Sequence, residues 1–252
     1  MRVRAFEEAD LGGDWPRLWR SARARRDLWR AAGEPARGFC AVLERAGALE
    51  LHVGVDASLR RRGFGSELIG PALREGPTLR ARADTDEGRA FLGHHGFRAV
   101  GEELVLERRG PPLARRAADV RTLLPGQWLP LSDAIFGGAL AEDVAGRLLL
   151  GAFVDGAPVG YLSARDLGVA LAIEEVAVLP RHRRRGLARA LAVEALARAA
   201  SGLAVLAVEA DNRAALALYA SLGFERSSRR QRFERSPPGN CNSRKSAFGG
   251  SG

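Results

Sequence analysis

Hydrophobic and polar positions follow strand-like and helix-like spacing in turn along the second half of the chain. Four apolar runs have the length of strands and lie at 148–154, 159–163, 170–178 and 203–208. Asp155-Gly156, between the first two runs, is typical of a hairpin turn. Apolar residues at helical spacing predict helices over 187–200 and 212–222, and a last strand is expected near 229–234. This pattern predicts a mixed α/β fold with an antiparallel meander.

The chain also contains an internal repeat. Residues 53–65 read VGVDASLRRRGFG and align without gaps with residues 176–188, VAVLPRHRRRGLA, at an offset of 123. Farther along, Gly96-Phe97 aligns with Gly223-Phe224 at an offset of 127. A repeat of this size indicates two equivalent folding units.

The repeat predicts tandem domains at 1–113 and 114–235, joined at Gly110-Pro111-Pro112. Each domain would be a mixed, mostly antiparallel sheet flanked by helices. Residues 236–252 are polar and without apolar periodicity, which predicts a disordered tail.

Each copy carries a basic turn between a strand and a helix. The second copy reads Arg183-Arg184-Arg185-Gly186-Leu187-Ala188, and the first reads Arg60-Arg61-Arg62-Gly63-Phe64-Gly65. Backbone amides at a helix N-terminus lack helical partners and attract phosphate, and glycine lets a ligand approach closely. A single arginine-rich turn is more often a solvated helix start. Two copies in the same context favour phosphate binding, with the arginines adding charge-assisted contacts.

These segments resemble the Gcn5-related N-acetyltransferase (GNAT) family, whose acetyl-CoA motif is Gln or Arg, two residues, Gly, one residue, then Gly or Ala. The second copy also carries Asn212, Tyr219 and Gly223-Phe224, similar to the family's Asn-to-Tyr-to-Gly-Phe signature. The resemblance covers 114–235 well and 45–107 less well. It implies acetyl-CoA as co-substrate and transfer of its acetyl group to a primary amine.

The same resemblance implies roles for individual residues. Val176 and Val178, on a strand that parts from its neighbour, would bind the pantetheine arm through backbone groups. The amides from Arg184 to Ala188 would hold the pyrophosphate, and Asn212 would contact the cofactor. Tyr219 matches the family's general acid, which protonates the departing thiolate. A core aromatic is the alternative interpretation of Tyr219.

Attack by an amine also requires a base, and Glu174 and Glu175 are the candidates. Because neighbours on a strand face opposite sides, at most one of them should face the cleft. Regular alternation places Glu174 on the same face as Val176 and Val178. Glu174 is preferred because the resemblance implies a substrate-facing base at the corresponding strand position of some family members. An ordinary exposed glutamate explains the position equally well.

The first copy departs from the signature at two positions. Leu92 aligns with Tyr219 and Thr85 aligns with Asn212, so the first domain is predicted to be degenerate. It would bind CoA without turnover, or use a different acid, for which Glu50 and His52 are candidates. One active site, in the second domain, is expected.

Composition bears on three questions: whether the protein binds nucleic acid or metal, whether it forms disulfides, and where in the cell it is located. The net charge is +9, but 38 of the 39 basic residues are arginine, a compositional skew, so no nucleic-acid partner is expected. The two cysteines support neither a disulfide framework nor a metal site. No apolar run approaches the ~20 residues of a membrane span, and no secretory signal is evident, so a cytoplasmic location is predicted.

The leading functional hypothesis is therefore an N-acetyltransferase that works by direct attack in a ternary complex. The acceptor would be a small-molecule amine ahead of a protein amine, and the protein would be a monomer or homodimer. The alternative is a non-catalytic CoA-binding sensor or regulatory protein.

Overall fold

The computed structural model describes residues 2–5, 26–33, 36–45, 48–75, 78–114, 118–136, 146–199 and 202–236. The strands are β1 (Val3–Ala5), β2 (Arg30–Ala32), β3 (Gly38–Arg45), β4 (Ala48–Val55), β5 (Thr78–Ala83), β6 (Arg98–Arg109), β7 (Asp119–Thr122), β8 (Arg147–Val154), β9 (Ala157–Asp166), β10 (Leu171–Val178), β11 (Leu203–Glu209) and β12 (Glu225–Arg235). The α-helices are α1 (Phe64–Leu73), α2 (Asp86–His94), α3 (Pro125–Phe136), α4 (Leu187–Ala197) and α5 (Arg213–Ser221).

The chain forms two compact units, and the predicted mixed α/β class is confirmed. Unit 1 contains residues 1–100 and 231–252, and unit 2 contains residues 101–230. In unit 2 the strands follow the order β6-β11-β10-β9-β8-β7, with β10 and β11 parallel and the other pairs antiparallel. In unit 1 the order is β1-β2-β3-β4-β5-β12, with β4 and β5 parallel.

Helices cover both faces of the unit 2 sheet. On one face α4 buries Leu191 and Ala195 against Leu162 of β9, and we call this the α4 face. On the other face α3 buries Trp128 against Tyr161 of β9, and we call this the α3 face. Leu162 and Tyr161 are neighbours on one strand, so their side chains project to opposite sides of the sheet.

Unit 1 has its own core beneath α1. Leu68 and Ile69 of α1 are fully buried in one cluster with Val42 of β3. Trp29, just before β2, is also fully buried, and its indole Nε1 donates to the carbonyl oxygen of Val42 at 2.8 Å. The indole therefore buries its polar atom with a partner.

The compact units differ from the contiguous division predicted at residue 113. Strand β6, from the first repeat copy, pairs with β11, and its Leu106 lies in the core of the α4 face. Residues 231–235 of β12, from the second copy, pair with β5, and Phe233 lies in the unit 1 core. The last strand of each copy thus completes the sheet of the other unit. The division into tandem domains remains a proposal.

Two further predictions concern the ends and the surface of the molecule. The predicted tail at 236–252 lies, apart from Ser236, outside the described residues. Within the described residues, no helix combines the length and apolar character needed to cross a membrane.

Candidate functional site

Strands β10 and β11 diverge in the middle of the unit 2 sheet. They pair in parallel only where Leu171–Ile173 meets Ala204–Leu206. Beyond that point β10 continues along β9 to Val178, while β11 continues along β6 to Glu209. The divergence opens a wedge between two backbone edges, which can offer amide and carbonyl groups to a ligand. It lies where the family resemblance placed the pantetheine arm, beside Val176 and Val178.

A β-bulge interrupts β10 next to this wedge. Ile173 pairs with Ala164 and Glu175 pairs with Ser163, so Glu174 is the extra residue. A bulge breaks the alternation of side chains, because two residues then oppose one on the partner strand.

The bulge turns both glutamates toward the α3 face. Glu175 bonds to Tyr161, and Glu174 contacts Arg165, which lies four residues along β9 on the same face. Val176 and Val178 instead pack on the α4 face. The prediction that Glu174 shares a face with these valines is therefore wrong, because the bulge breaks the alternation. That at most one glutamate faces the cleft stays a prediction.

Glu174 is engaged by two guanidinium groups. Its carboxylate contacts Nη1 of Arg147, and its Oε1 lies 3.2 Å from Nε of Arg165. The Arg147 side chain is only 5% exposed and also donates to Oγ of Ser163 at 2.9 Å. Both oxygens of the Glu174 carboxylate are thus bound by partly buried arginines, so the side chain can serve to link β8, β9 and β10.

Glu175 has a different environment. Its Oε2 accepts a hydrogen bond of 2.8 Å from the hydroxyl of Tyr161, a fully buried residue. The Tyr161 hydroxyl also lies 3.3 Å from Oγ of Ser132 on α3. Burial is the main cause that raises the pKa of Tyr161 far above its usual value, so the phenol remains a donor. The two candidate bases therefore differ in their contacts: Glu174 binds two guanidinium groups, and Glu175 accepts a hydrogen bond from a neutral phenol.

The turn between β10 and α4 has the shape of an anion-binding cradle. Arg184 and Gly186 have φ values of 63° and 79°, and α4 starts at Leu187 without a side-chain cap or an acidic residue in its first turn. A Cβ atom placed on Gly186 would meet nothing within 4 Å, so the space above the turn is open. The backbone amides there, including that of Ala188, lie at the N-terminal, positive end of the helix dipole.

Arginine side chains divide their roles around this turn. Arg183 donates from Nε to the carbonyl oxygen of Val178 at 3.0 Å, so it braces the turn against the end of β10. Arg184 and Arg185 are exposed and therefore available to an anion. The resemblance grouped all three with the cofactor, and the structure gives Arg183 a bracing contact in addition.

Unit 1 repeats this geometry. Arg61 and Gly63 have φ values of 63° and 85°, and Arg60 donates from Nε to the carbonyl oxygen of Val55 at 3.2 Å. Strands β4 and β5 pair only where Ala48–Glu50 meets Thr78–Arg80, so they too diverge before the turn. Arg62 is exposed, as its counterpart in unit 2 is.

Gly65 has a packing contact in addition to the cofactor contact that the resemblance implies, which stays a prediction. A Cβ atom at this position would lie 2.9 Å from Cε2 of Phe91 on α2, closer than the two carbons can approach. The glycine of the motif therefore lets α1 and α2 pack together.

Tyr219 lies on α5 in the core of the α4 face. Its ring meets that of Phe224 edge to face, with centroids 5.5 Å apart, and the side chain is 7% exposed. Burial raises its pKa to about 12. Within the described residues its hydroxyl has no hydrogen bond. A protonated, unengaged phenol can donate to a ligand in the wedge.

Asn212 has a structural task that Thr85 shares. The side-chain oxygen of Asn212 accepts from the amide of Ala215 at 3.1 Å and caps α5. In unit 1 the hydroxyl of Thr85 caps α2 in the same manner, from the amide of Gly88 at 3.1 Å. The amide nitrogen of Asn212 is the group that threonine does not reproduce.

Sequence reasoning missed Tyr161, Ser132 and Arg147. Tyr161 lies in an apolar run and is indistinguishable from a core aromatic by pattern, while Ser132 lies on an apolar helix. Their grouping depends on how α3 docks on the sheet, which no motif records. In the described residues, no group of three or more His, Cys, Asp and Glu side chains is placed to hold a metal ion.

Comparison with known proteins fits this geometry. Residues 117–224 match the acetyltransferase (GNAT) family. This segment is similar to that family, and it makes up less than half of the chain. The N-alpha-acetyltransferase RimI of Mycobacterium tuberculosis is 39% identical over 90 residues, which are 34% of this chain and 57% of that protein. The chain spans 38% and 57% of the lengths of two curated relatives that it matches.

Solved structures support the GNAT fold over most of the chain. A GCN5-related N-acetyltransferase from Sphaerobacter thermophilus superposes with a TM-score of 0.66 at 20% identity, covering 93% of this chain and 95% of that one. A tandem GNAT protein from the clavulanic acid biosynthesis pathway superposes with a TM-score of 0.63 at 20% identity, covering 82% and 81%. At this identity the likeness concerns the fold.

Proposed function

We propose that unit 2 transfers the acetyl group of acetyl-CoA to a primary amine by direct attack in a ternary complex. The observation that carries the proposal is the placement of two proton-transfer groups on opposite faces of the unit 2 sheet. Glu175, beside the wedge, lies on the α3 face, and Tyr219 lies in the core of the α4 face. An acceptor entering from the α3 face would meet the base, and the sulfur would lie toward the acid.

The reaction then needs two proton transfers around one substitution. The amine nitrogen attacks the thioester carbonyl carbon, and Glu175 accepts the proton that the nitrogen loses. The C–S bond breaks with its electron pair on sulfur, and Tyr219 donates its proton to that thiolate. General acids and bases of this kind each contribute about 10²- to 10⁴-fold to the rate.

The residues of the turn would hold the co-substrate. The amides from Arg184 to Ala188 would receive the pyrophosphate, with Arg184 and Arg185 as charge-assisted partners. The edges of β10 at Val176 and Val178 would bind the pantetheine arm. The amide nitrogen of Asn212 would contact the cofactor, because its oxygen is committed to the helix cap.

Replacing Tyr219 by phenylalanine tests the acid. The variant keeps the ring on Phe224, so we expect the unfolding temperature to change little while kcat falls by about 10²-fold or more. The raised pKa of about 12 keeps the Tyr219 phenol protonated up to strongly alkaline pH. The fall in kcat should therefore appear throughout the range around neutral pH. CoA release measured with a panel of amines provides the rate. An unchanged rate at all pH values would show that Tyr219 is not the acid.

A second candidate function is CoA binding without turnover, and unit 1 provides the observation that favours it. There the turn of Arg60 to Gly63 has the same backbone conformation, but Leu92 replaces the acid. Calorimetry with acetyl-CoA distinguishes the candidates. Binding with no turnover across amines and peptide N-termini would favour a sensor, whereas a lack of CoA binding would contradict both.

The proposal also includes the kind of acceptor amine and the oligomeric state of the protein. A small-molecule amine is preferred to a protein amine, and neither a metal nor a nucleic acid is required. The protein would act as a monomer or homodimer of chains that each carry two tandem GNAT-type copies.

A further inference from the structure

We propose that Tyr161 is a positioning residue that holds the Glu175 carboxylate in place as the base for the acceptor amine. This inference rests on the proposed acetyl transfer. It names a buried side chain that touches neither substrate in that scheme and acts through Glu175 alone.

The hydrogen bonds around Tyr161 have one consistent direction. An ionised carboxylate only accepts, so the Tyr161 hydroxyl must donate its proton to Oε2 of Glu175, 2.8 Å away. The phenol oxygen is then an acceptor, and Oγ of Ser132, 3.3 Å away, is placed to donate to it. Two consecutive hydrogen bonds therefore run from Ser132 through Tyr161 to the carboxylate of Glu175. Each hydrogen bond polarises and strengthens the next.

Packing fixes the tyrosine in this position. Tyr161 is fully buried, and its ring meets Trp128 of α3 edge to face, with centroids 6.2 Å apart. The neighbouring Gly160 leaves no room for a side chain between β9 and β10, so the two strands stay in close register. A carboxylate tied to such a rigid donor has one preferred orientation.

The bulge places two neighbouring glutamates on one face, where they have different contacts. Glu174 projects to the same face and binds Arg147 and Arg165, which occupy the space on that side. Loss of the phenol would remove the donor that Tyr161 provides to Oε2 of Glu175. Tyr161 thus gives Glu175 a neutral, buried donor, whereas the contacts of Glu174 include two arginines.

The charged groups that face Glu175 come from three strands. Among the described residues they include Arg147 of β8, Arg165 of β9 and Glu174 of β10, which lie on the same face. Helix α3 contributes the neutral Trp128 and Ser132 and carries Asp133 on its exposed side. Loss of a donor to a charged carboxylate disfavours the charged form. Removing the phenol should therefore move the acid limb of the pH–rate profile to higher pH.

The experiment uses the full chain with Tyr161→Phe. We expect kcat to fall about tenfold, the KM for acetyl-CoA to stay constant, and the acid limb of kcat/KM to rise by about one pH unit, since a hydrogen bond to a charged group corresponds to about that shift. Phe153→Leu is the matched control, because Phe153 belongs to the same α3-face core and bonds to neither residue. Phe153→Leu should lower the unfolding temperature without shifting the acid limb of the pH dependence of kcat/KM.

A double-mutant cycle with Glu175→Gln separates positioning from a general structural effect. If Tyr161 acts through Glu175, adding Tyr161→Phe to Glu175→Gln should lower the rate no further. An equal loss in both backgrounds, or an unmoved limb in the folded Tyr161→Phe protein, would overturn the inference. A wild-type protein that acetylates no amine would instead overturn the proposed function, and the inference with it. Ser132→Ala, which leaves the direct bond intact, should give a smaller shift in the same direction.

Discussion

Gly160 of β9 lies directly opposite Val178, at the end of β10 that would bind the pantetheine arm. A Cβ atom at this position would lie 2.9 Å from the carbonyl oxygen of Ala177 and 2.9 Å from Cγ2 of Val178. Backbone cannot yield as a flexible side chain does, so any added carbon must displace β10. The position therefore connects sheet packing with the geometry of the wedge.

Gly160→Ala should consequently weaken both stability and CoA binding. Overpacking of this kind costs about 1–3 kcal/mol of unfolding free energy, and the displaced edge should raise the Kd for acetyl-CoA. Urea unfolding and calorimetry measure the two effects. Gly126→Ala, on α3 where a Cβ meets nothing within 4 Å, is the control and should not destabilise. Equal behaviour of the two variants would contradict the close contact seen at Gly160.

The sequence was enough to place residues whose neighbours lie close along the chain, although their roles toward the cofactor stay predictions. Asn212 and Tyr219 belong to one helix, so their spacing places them without knowledge of the tertiary fold. The two glutamates of β10 could not be placed, because the segment alternates regularly and the bulge arises from its pairing with β9. Tyr161 was invisible for the same reason, since its partner is reached across the sheet.

At the scale of elements, the strand, turn and helix around each arginine-rich motif were predictable because the chain contains the motif twice. Both turns adopt left-handed conformations at equivalent positions and are braced by equivalent arginine bonds to the preceding strand. What the sequence could not reveal is which motif glycine packs against a neighbouring side chain and which faces open space. Gly65 lies against Phe91, while Gly186 faces open space.

Alanine at Gly63 and at Gly186 should separate folding from function. Both positions have positive φ, which costs a residue with a Cβ about 1–2 kcal/mol, so the two variants should lose similar unfolding free energy. Only Gly186→Ala should reduce acetyl transfer, because the proposed catalytic pair, Glu175 and Tyr219, lies in unit 2. Rates and unfolding curves of both variants check this. A comparable loss of rate from Gly63→Ala would show that unit 1 takes part in turnover.

On the scale of the whole molecule, the exchange of last strands changes what counts as a folding unit. The repeat correctly locates equivalent motifs, yet the strand after each Gly-Phe pair contributes to the other compact unit. The exchange also involves equivalent arginines. Arg108 of β6 donates to the carbonyl oxygen of Leu222, and Arg235 of β12 donates to that of Leu73. Motif alignment has no information about such pairing, because either partner strand satisfies the same apolar pattern.

Fragments with the two alternative boundaries should therefore behave differently. Residues 101–230 retain β6 from residue 101 onward, whereas residues 114–235, the domain predicted from the repeat, lack it. Without β6 the edge of β11 from Leu203 to Glu209 has unpaired amides and carbonyls, and the core loses Leu106. An exposed apolar strand edge promotes association, so 114–235 should aggregate or elute as an oligomer.

The fragment 101–230 should remain soluble and unfold cooperatively, because it keeps strands β7 to β11, the part of β6 that pairs with β11, and the buried Arg108. Size-exclusion chromatography with light scattering, followed by urea unfolding, compares the two at equal concentration. The full chain with Leu106→Ala is the internal check, since a cavity in the α4-face core costs about 2–5 kcal/mol without altering any boundary. A monomeric 114–235 as stable as 101–230 would mean that β6 is dispensable to unit 2.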